Sequence, residues 1–206
     1  MSKMSKAIAV LGVVAGLGVA ALPLSSYAAD EPYSQSTSAD VQVGVSGAIS
    51  IEVDNGATDA DVAKNLVDLG QIKLNGDIVS KGLKVTVKTN AGVQSDVAYS
   101  LTMTTESTNN ALVNENGIEL PAGVPQQGTS AWGYTVGTSL TDATKDLTGW
   151  AAVPGKGSTP AELKANGNVP SATHSEDTFV HFGATASTGQ REGIYKGTVV
   201  FTATVQ

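Results

Sequence analysis

The chain has 206 residues, a net charge of −7 from 12 basic and 19 acidic residues, and no cysteine. An acidic chain without a basic cluster is not expected to bind nucleic acid or an anionic membrane surface. The lack of cysteine excludes disulfide bonds and thiolate metal sites, so burial of apolar side chains must stabilise the fold.

The first 28 residues are typical of a secretory signal peptide. A positive start with Lys3 and Lys6 precedes an apolar run at 7–24, and a small-residue cleavage site ends at Ala28. The run is also just long enough to span a bilayer, but three glycines and Pro23 interrupt it. We therefore predict cleavage after Ala28 and secretion, with no membrane attachment afterwards. Because the cleaved segment removes two lysines and no acid, the charge becomes −9.

The mature chain begins with a polar segment and a first alternating strand. Residues 29–39 are rich in Ser and Thr and poor in apolar side chains, which predicts a flexible linker before a domain at 40–206. The stretch "DVQVGV" then places Val41, Val43 and Val45 on one face. These three residues are the candidate assembly strand.

Acidic side chains cluster after the next alternating stretch, in "EVDNGATDAD". Asp54, Asp59 and Asp61 are carboxylates of the kind that calcium binds, although their spacing departs from the EF-hand loop pattern. A turn at Asn55-Gly56 followed by a helix-capping aspartate explains the same residues without a metal. The turn is favoured over a weak calcium site, and no other cofactor is predicted.

Two well-alternating segments follow in chain order. Apolar residues occupy every second position at 83–87 and again at 97–103, with a turn signal at 90–92 between them. Such a pattern is typical of two antiparallel strands, so we predict that they pair as a hairpin.

Two short stretches carry helix signals instead. In "TPAELKANG", Thr159 is a candidate N-cap, Pro160 fits the first helical position, Glu162 completes a capping box and Gly167 is a candidate C-terminal residue. The stretch "TDADVAKNL" is similar. Each predicts a helix of about two turns, which is marginal in isolation.

The two tryptophans lie on different strand-like segments. Trp132 alternates with Tyr134 and Val136 in "AWGYTV", which favours burial between two sheets. Trp150, in "GWAAVP", alternates poorly, so burial and an exposed position for binding a glycan or a partner both remain open.

No motif indicates catalysis. The two histidines, His174 and His181, lack metal-ligand spacing, and "GVSGA" does not match the nucleophile motif G-x-S-x-G. His181 alternates with Val180 and Phe182, which predicts the outer face of a strand. We therefore predict no catalytic residue and no enzymatic activity.

About nine short strands separated by Gly, Asn and Pro predict an all-β fold, an antiparallel β-sandwich. The closing strand, "GIYKGTVVFTATVQ", has one apolar face that needs a partner. We expect its residues Tyr195, Val199, Phe201 and Val205 to share a core with Val85, Leu101 and Trp132.

The succession "AWGYTV", "GWAAVP", "DTFVHFGATAS" and "GIYKGTVVFTATV" resembles a group of secreted bacterial surface domains with W-G-Y, W-x-x-V-P, V-x-F-G-A and G-x-Y-x-G-T-V-x-x-T-A strands. The resemblance covers 131–206 well and 41–105 loosely. It implies an Ig-like sandwich in a surface or pilus-like protein of a Gram-positive-type envelope, without catalytic residues. Those relatives often end in a sortase motif and a membrane helix, neither of which follows Val205, so we do not expect wall attachment by that route.

These observations lead to two functional hypotheses. The first is a secreted, non-catalytic cell-surface structural or adhesive protein whose partners are copies of itself or other surface proteins. Its edge strands could accept the strand that contains Val41, Val43 and Val45 from a neighbour, although the folding of that strand into its own sheet is the favoured alternative. The second is a soluble secreted module that binds a carbohydrate or a host protein, with Trp150 as the candidate binding residue.

Overall fold

The computed structural model describes residues 34–38, 49–60, 63–90 and 95–206, with side chains described from residue 49 onward. This part of the chain contains ten strands and a single 3₁₀ turn, Thr144–Asp146, but no α-helix. None of its helical structure is long or apolar enough to cross a membrane. The strands are β1 (Ser34–Ser38), β2 (Ile49–Asp54), β3 (Val79–Thr89), β4 (Val97–Thr105), β5 (Leu112–Val113), β6 (Glu119–Leu120), β7 (Ala131–Gly137), β8 (Ala161–Val169), β9 (Ser175–Thr185) and β10 (Val199–Val205).

The strands form two four-stranded antiparallel sheets and a small hairpin of β5 and β6. The first sheet has the order β1-β10-β4-β8 and the second the order β2-β3-β9-β7. Buried side chains from both sheets belong to a single apolar cluster. The predicted all-β, antiparallel character is therefore confirmed, and the arrangement is consistent with a β-sandwich.

The closing strand contributes its apolar face to this core, as the alternation predicts. Val199, Phe201 and Ala203 are buried, whereas Tyr195 and Val205 are half-buried and pack against the cluster from either end. The predicted partners, Val85, Leu101 and Trp132, lie in the same cluster. The strand itself begins only at Val199, because the preceding segment turns away to pair with β5 through Val113 and Lys196.

The predicted hairpin of β3 and β4 is wrong. β3 pairs with β2 and β9 in the second sheet, and β4 pairs with β10 and β8 in the first. The inward side chains of the two strands, such as Val85 and Leu101, lie in the shared core. Alternation specifies that a strand has one buried face, but two such faces can meet across a sandwich as well as along one sheet.

The helix predicted at "TPAELKANG" is also wrong, since residues 161–169 form strand β8. Pairing with β4 buries Leu163 and Val169, so tertiary packing overrides the local capping signals. The register shifts opposite Tyr99 and Leu101, which explains why the alternation of β8 is irregular. In the second candidate, 58–66, the described residues 58–60 and 63–66 are not helical.

Strand β1 lies at the edge of the first sheet, antiparallel to β10. Ser34 is opposite Thr204 and Ser38 is opposite Val200. Five residues of the predicted linker 29–39 are thus a paired strand. The predicted signal peptide, the remainder of the linker and the assembly residues Val41, Val43 and Val45 lie outside the described residues.

Candidate functional site

The outer face of the second sheet is covered by the segment 138–150, which follows β7. Trp150 of this segment is half-buried and lies on Gly183 of β9, where a β-carbon would approach its Cη2 atom to 2.5 Å. Ala151 exchanges two backbone hydrogen bonds with Tyr134 at the edge of β7. Trp150 is therefore neither in the central core nor on an open face, and the glycine in β9 provides the space for its ring.

His181 lies under the same segment. It is on the outer side of β9, as predicted, but it is only 1% exposed because residues 138–142 cover it. Its Nε2 is 2.8 Å from the backbone oxygen of Ser139 and 3.8 Å from the carboxylate of Asp142. Gly82 and Gly137 make room for this contact, since a β-carbon at either position would collide with the imidazole.

The grouping of Ser139, Asp142 and His181 does not form a nucleophile–base pair. The Ser139 hydroxyl donates to the Asp142 carboxylate at 2.6 Å, and His181 Nε2 must donate to the Ser139 carbonyl. That nitrogen therefore has no lone pair with which to accept a proton from the hydroxyl. The Ser139 hydroxyl and the Thr138 backbone N–H hold the pKa of the Asp142 carboxyl well below its usual range, which stabilises the loop.

The acidic cluster considered as a weak calcium site forms hydrogen bonds and an ion pair within the protein. Asp54 accepts a hydrogen bond of 2.9 Å from the N–H of Gly56 and forms an ion pair of 3.4 Å with Lys64. The Gly56 hydrogen bond is the main cause of a lowered pKa at Asp54. Asp59 is exposed, and Asp61 lies outside the described residues. No group of three potential metal ligands occurs in the described parts of the chain.

A half-buried polar cluster joins β4, β8 and β9. The Glu176 carboxylate binds the Lys164 ammonium and accepts from the Asn168 backbone N–H at 2.8 Å. Burial acts to raise the pKa of Glu176, but these hydrogen bonds outweigh it and the pKa is lowered. The Tyr99 ring packs against Gly167, and burial raises the pKa of its phenol. This cluster ties the two sheets together rather than facing a ligand.

A cavity of about 350 Å³ opens where β4 ends and β10 begins. Such a volume is at the lower end of the range of about 300–1,000 Å³ that is usual for small-molecule sites. Its wall combines one aromatic ring, several hydroxyl groups, an amide and a carboxylate, contributed by Thr105, Glu106, Ser107, Asn109, Trp132 and Thr198.

Trp132 forms the rigid side of this cavity. Its indole Nε1 donates to the backbone oxygen of Asn110 at 2.9 Å, and its ring stacks on Phe182 with centroids 6.3 Å apart. The residue is 3% exposed, so the predicted burial of Trp132 is confirmed. The cavity could not be predicted from the sequence, because its wall comes from three separated segments and follows no contiguous motif.

The glycines that make room for the outer segment could have been recognised from the sequence. Gly82, Gly137 and Gly183 lie within strands, where a glycine weakens the strand and often marks the close approach of another backbone or ring.

No protein-family model matches this chain, and no curated protein or solved structure matches it either.

Proposed function

We propose that the protein is a secreted, non-catalytic cell-surface domain with an Ig-like sandwich, structural or adhesive in role, that assembles by strand exchange along β10. The resemblance of its strand motifs to secreted bacterial surface domains supports the location, and the all-β fold agrees with it. The assembly step rests on the position of β1, which pairs with β10 of its own chain at the edge of the first sheet, where the strand of another copy can take its place.

This pairing places an N-terminal strand of small polar residues, "SQSTS", on the edge of the sheet. Backbone hydrogen bonds along an edge do not depend on which copy of the chain supplies the strand. The same segment of a second copy could therefore occupy β10, followed by the candidate assembly residues Val41, Val43 and Val45. A contact of this kind is heterologous and extends into a head-to-tail filament.

The absence of cysteine allows a clean test by disulfide trapping. Ser36 and Thr202 are opposite each other in β1 and β10, and antiparallel partners lie at distances that a disulfide can span. The double variant Ser36→Cys/Thr202→Cys, expressed without the signal peptide and oxidised at high concentration, should give a ladder of covalent oligomers on non-reducing gels.

The matched control is Thr102→Cys/Thr202→Cys, which joins β4 to β10 within one chain. It should remain a covalent monomer under the same conditions. If the Ser36→Cys/Thr202→Cys variant also gives only a monomer, β1 belongs to its own domain and assembly by exchange is wrong.

The proposal that the protein is non-catalytic rests on His181, which lies near Ser139 and Asp142. His181 is buried and its Nε2 donates to a backbone carbonyl, so it is not placed to act as a general base.

A soluble secreted module that binds a carbohydrate or a host protein is the second candidate function. The cavity beside Trp132 favours it, since this cavity has mixed polar and aromatic walls. Trp150, the residue first considered for binding, is engaged with Gly183 instead.

A further inference from the structure

We propose that the cavity beside Trp132 binds one residue of a saccharide, with the Glu106 carboxylate as the main hydrogen-bond acceptor. This inference rests on the binding-module alternative and is independent of strand exchange.

Most polar groups of the wall are already used within the protein. The Asn109 amide donates to the Glu119 carboxylate at 2.6 Å, and its oxygen accepts from the Ala111 N–H at 3.0 Å. The Thr105 hydroxyl donates to the backbone oxygen of Ser107 at 2.6 Å. These bonds fix the shape of the wall without a ligand, which lowers the entropic cost of binding.

Two side chains of the wall, Glu106 and Ser107, can still form hydrogen bonds with a ligand. The Glu106 carboxylate has no hydrogen bond or ion pair with any other residue in the described part of the chain, while its backbone N–H is held by Thr198 at 3.0 Å. The Ser107 hydroxyl accepts from the Asn109 N–H at 3.2 Å and retains its own hydrogen for donation. The wall therefore offers an acceptor and a donor side by side.

This combination selects among ligand chemistries. A ligand ammonium group only donates, so it would satisfy Glu106 and leave the Ser107 hydrogen unused. A sugar hydroxyl both donates and accepts, and two neighbouring hydroxyls match both groups at once. The Trp132 indole is only 3% exposed, so it borders the cavity without offering a stacking face, and the selection of a sugar rests on the hydrogen-bonding groups.

The charged surroundings agree with a neutral ligand. Lys156 donates its backbone N–H to the Ser107 carbonyl at 2.9 Å, and Lys196 directly precedes Gly197 in the wall. Two lysines therefore lie on segments adjoining Glu106, the single carboxylate of the wall. Their positive charges offset its negative charge, so the electrostatic potential of the site does not select a cation.

The experiment follows the two indole N–H signals by NMR while D-glucose, D-galactose, D-mannose and N-acetyl-D-glucosamine are added separately to the mature monomer. Trp150→Phe removes one signal and so assigns the other to Trp132. At least one sugar should shift the Trp132 signal saturably and leave the Trp150 signal in place. L-lysine methyl ester serves as the ammonium probe and should not shift it.

Glu106→Gln should weaken the binding of that sugar about tenfold or more, because a hydrogen bond to a charged acceptor is lost. Glu106 is exposed, so this variant should fold normally. The matched control, Glu115→Gln, changes an exposed carboxylate in the β5–β6 connection and should bind like the parent.

The proposal is wrong if none of the four sugars shifts the Trp132 signal at 100 mM, if the ammonium probe alone does so, or if Glu106→Gln binds as tightly as the parent. Disulfide trapping reports on strand exchange alone, so a failure there and a failure here are distinguishable.

Discussion

Gly183 lies directly beneath the indole of Trp150, so close that a β-carbon at 183 would come within 2.5 Å of the ring. A glycine near the end of β9 therefore positions the segment 138–150 on the outer face of the second sheet. The stability of this outer layer should depend on residue 183 although that residue has no side chain.

We predict that Gly183→Ala displaces Trp150 and destabilises the protein by about 1–3 kcal/mol, the usual cost of overpacking. Urea denaturation followed by fluorescence measures both effects, since the Trp150 emission should shift to longer wavelength. Gly189→Ala is the matched control, because a β-carbon there meets nothing closer than 3.9 Å. Equal stability of Gly183→Ala and the parent would contradict the contact.

Truncation of the closing strand tests the central core. Phe201 is fully buried in the shared cluster, so Phe201→Ala should cost about 3–5 kcal/mol through lost transfer energy and the resulting cavity. Val200→Ala, a smaller truncation at the preceding position on the opposite face of β10, should cost much less. An unchanged urea midpoint for Phe201→Ala would show that β10 does not pack in the core.

Glu176 should make stability depend on pH. Its pKa is lowered in the folded protein, so folding favours the ionised form, and the stabilisation is present above the unfolded pKa of about 4.3 and is lost as the pH falls below it. We expect Glu176→Gln to be less stable than the parent at pH 7 and the gap to narrow by pH 3. The urea midpoints of Glu176→Gln and of the parent at pH 7 and pH 3 measure this difference in stability.

The control for that comparison is Glu162→Gln, which changes an exposed glutamate on β8. Its stability should follow that of the parent at both pH values. A gap between Glu176→Gln and the parent that stays constant with pH would mean that the Lys164–Glu176 contact acts through packing rather than charge.

Calcium should not stabilise the fold. Asp54 already accepts from Gly56 and pairs with Lys64, so a cation at this turn would have to displace Lys64. Melting curves in millimolar calcium and in chelator should overlay. A rise of several degrees with calcium would show that the acidic turn is a metal site.

Alternation in the sequence predicted buried faces well and strand partners poorly. Phe201, Leu101 and Val85 are buried as expected, because a two-residue period depends only on the local chain and the presence of a core. The prediction that β3 and β4 pair was wrong, because distant strands decide whether two strands are neighbours in one sheet or face each other across two sheets. The helix prediction at β8 was wrong for a related reason. Its capping signals are local, whereas its pairing with β4 joins residues far apart in the chain.

The candidate sites were harder to predict than the fold. Trp150 gave an ambiguous signal because its position depends on a glycine 33 positions further along the chain. Glu106 gave none, since an isolated glutamate in a polar loop gains its role only when Trp132 and the start of β10 are placed around it.

The antiparallel pairing of β1 and β10 also has a mechanical consequence. Ser34, at the beginning of β1, lies opposite Thr204, near the end of β10. A pulling force applied at these two residues acts across the strands. It would therefore separate the hydrogen-bonded residue pairs one after another from one end, instead of loading all of them at once. We expect this edge to peel at low force while the remaining strands stay folded, which would let a domain under tension release β1 first.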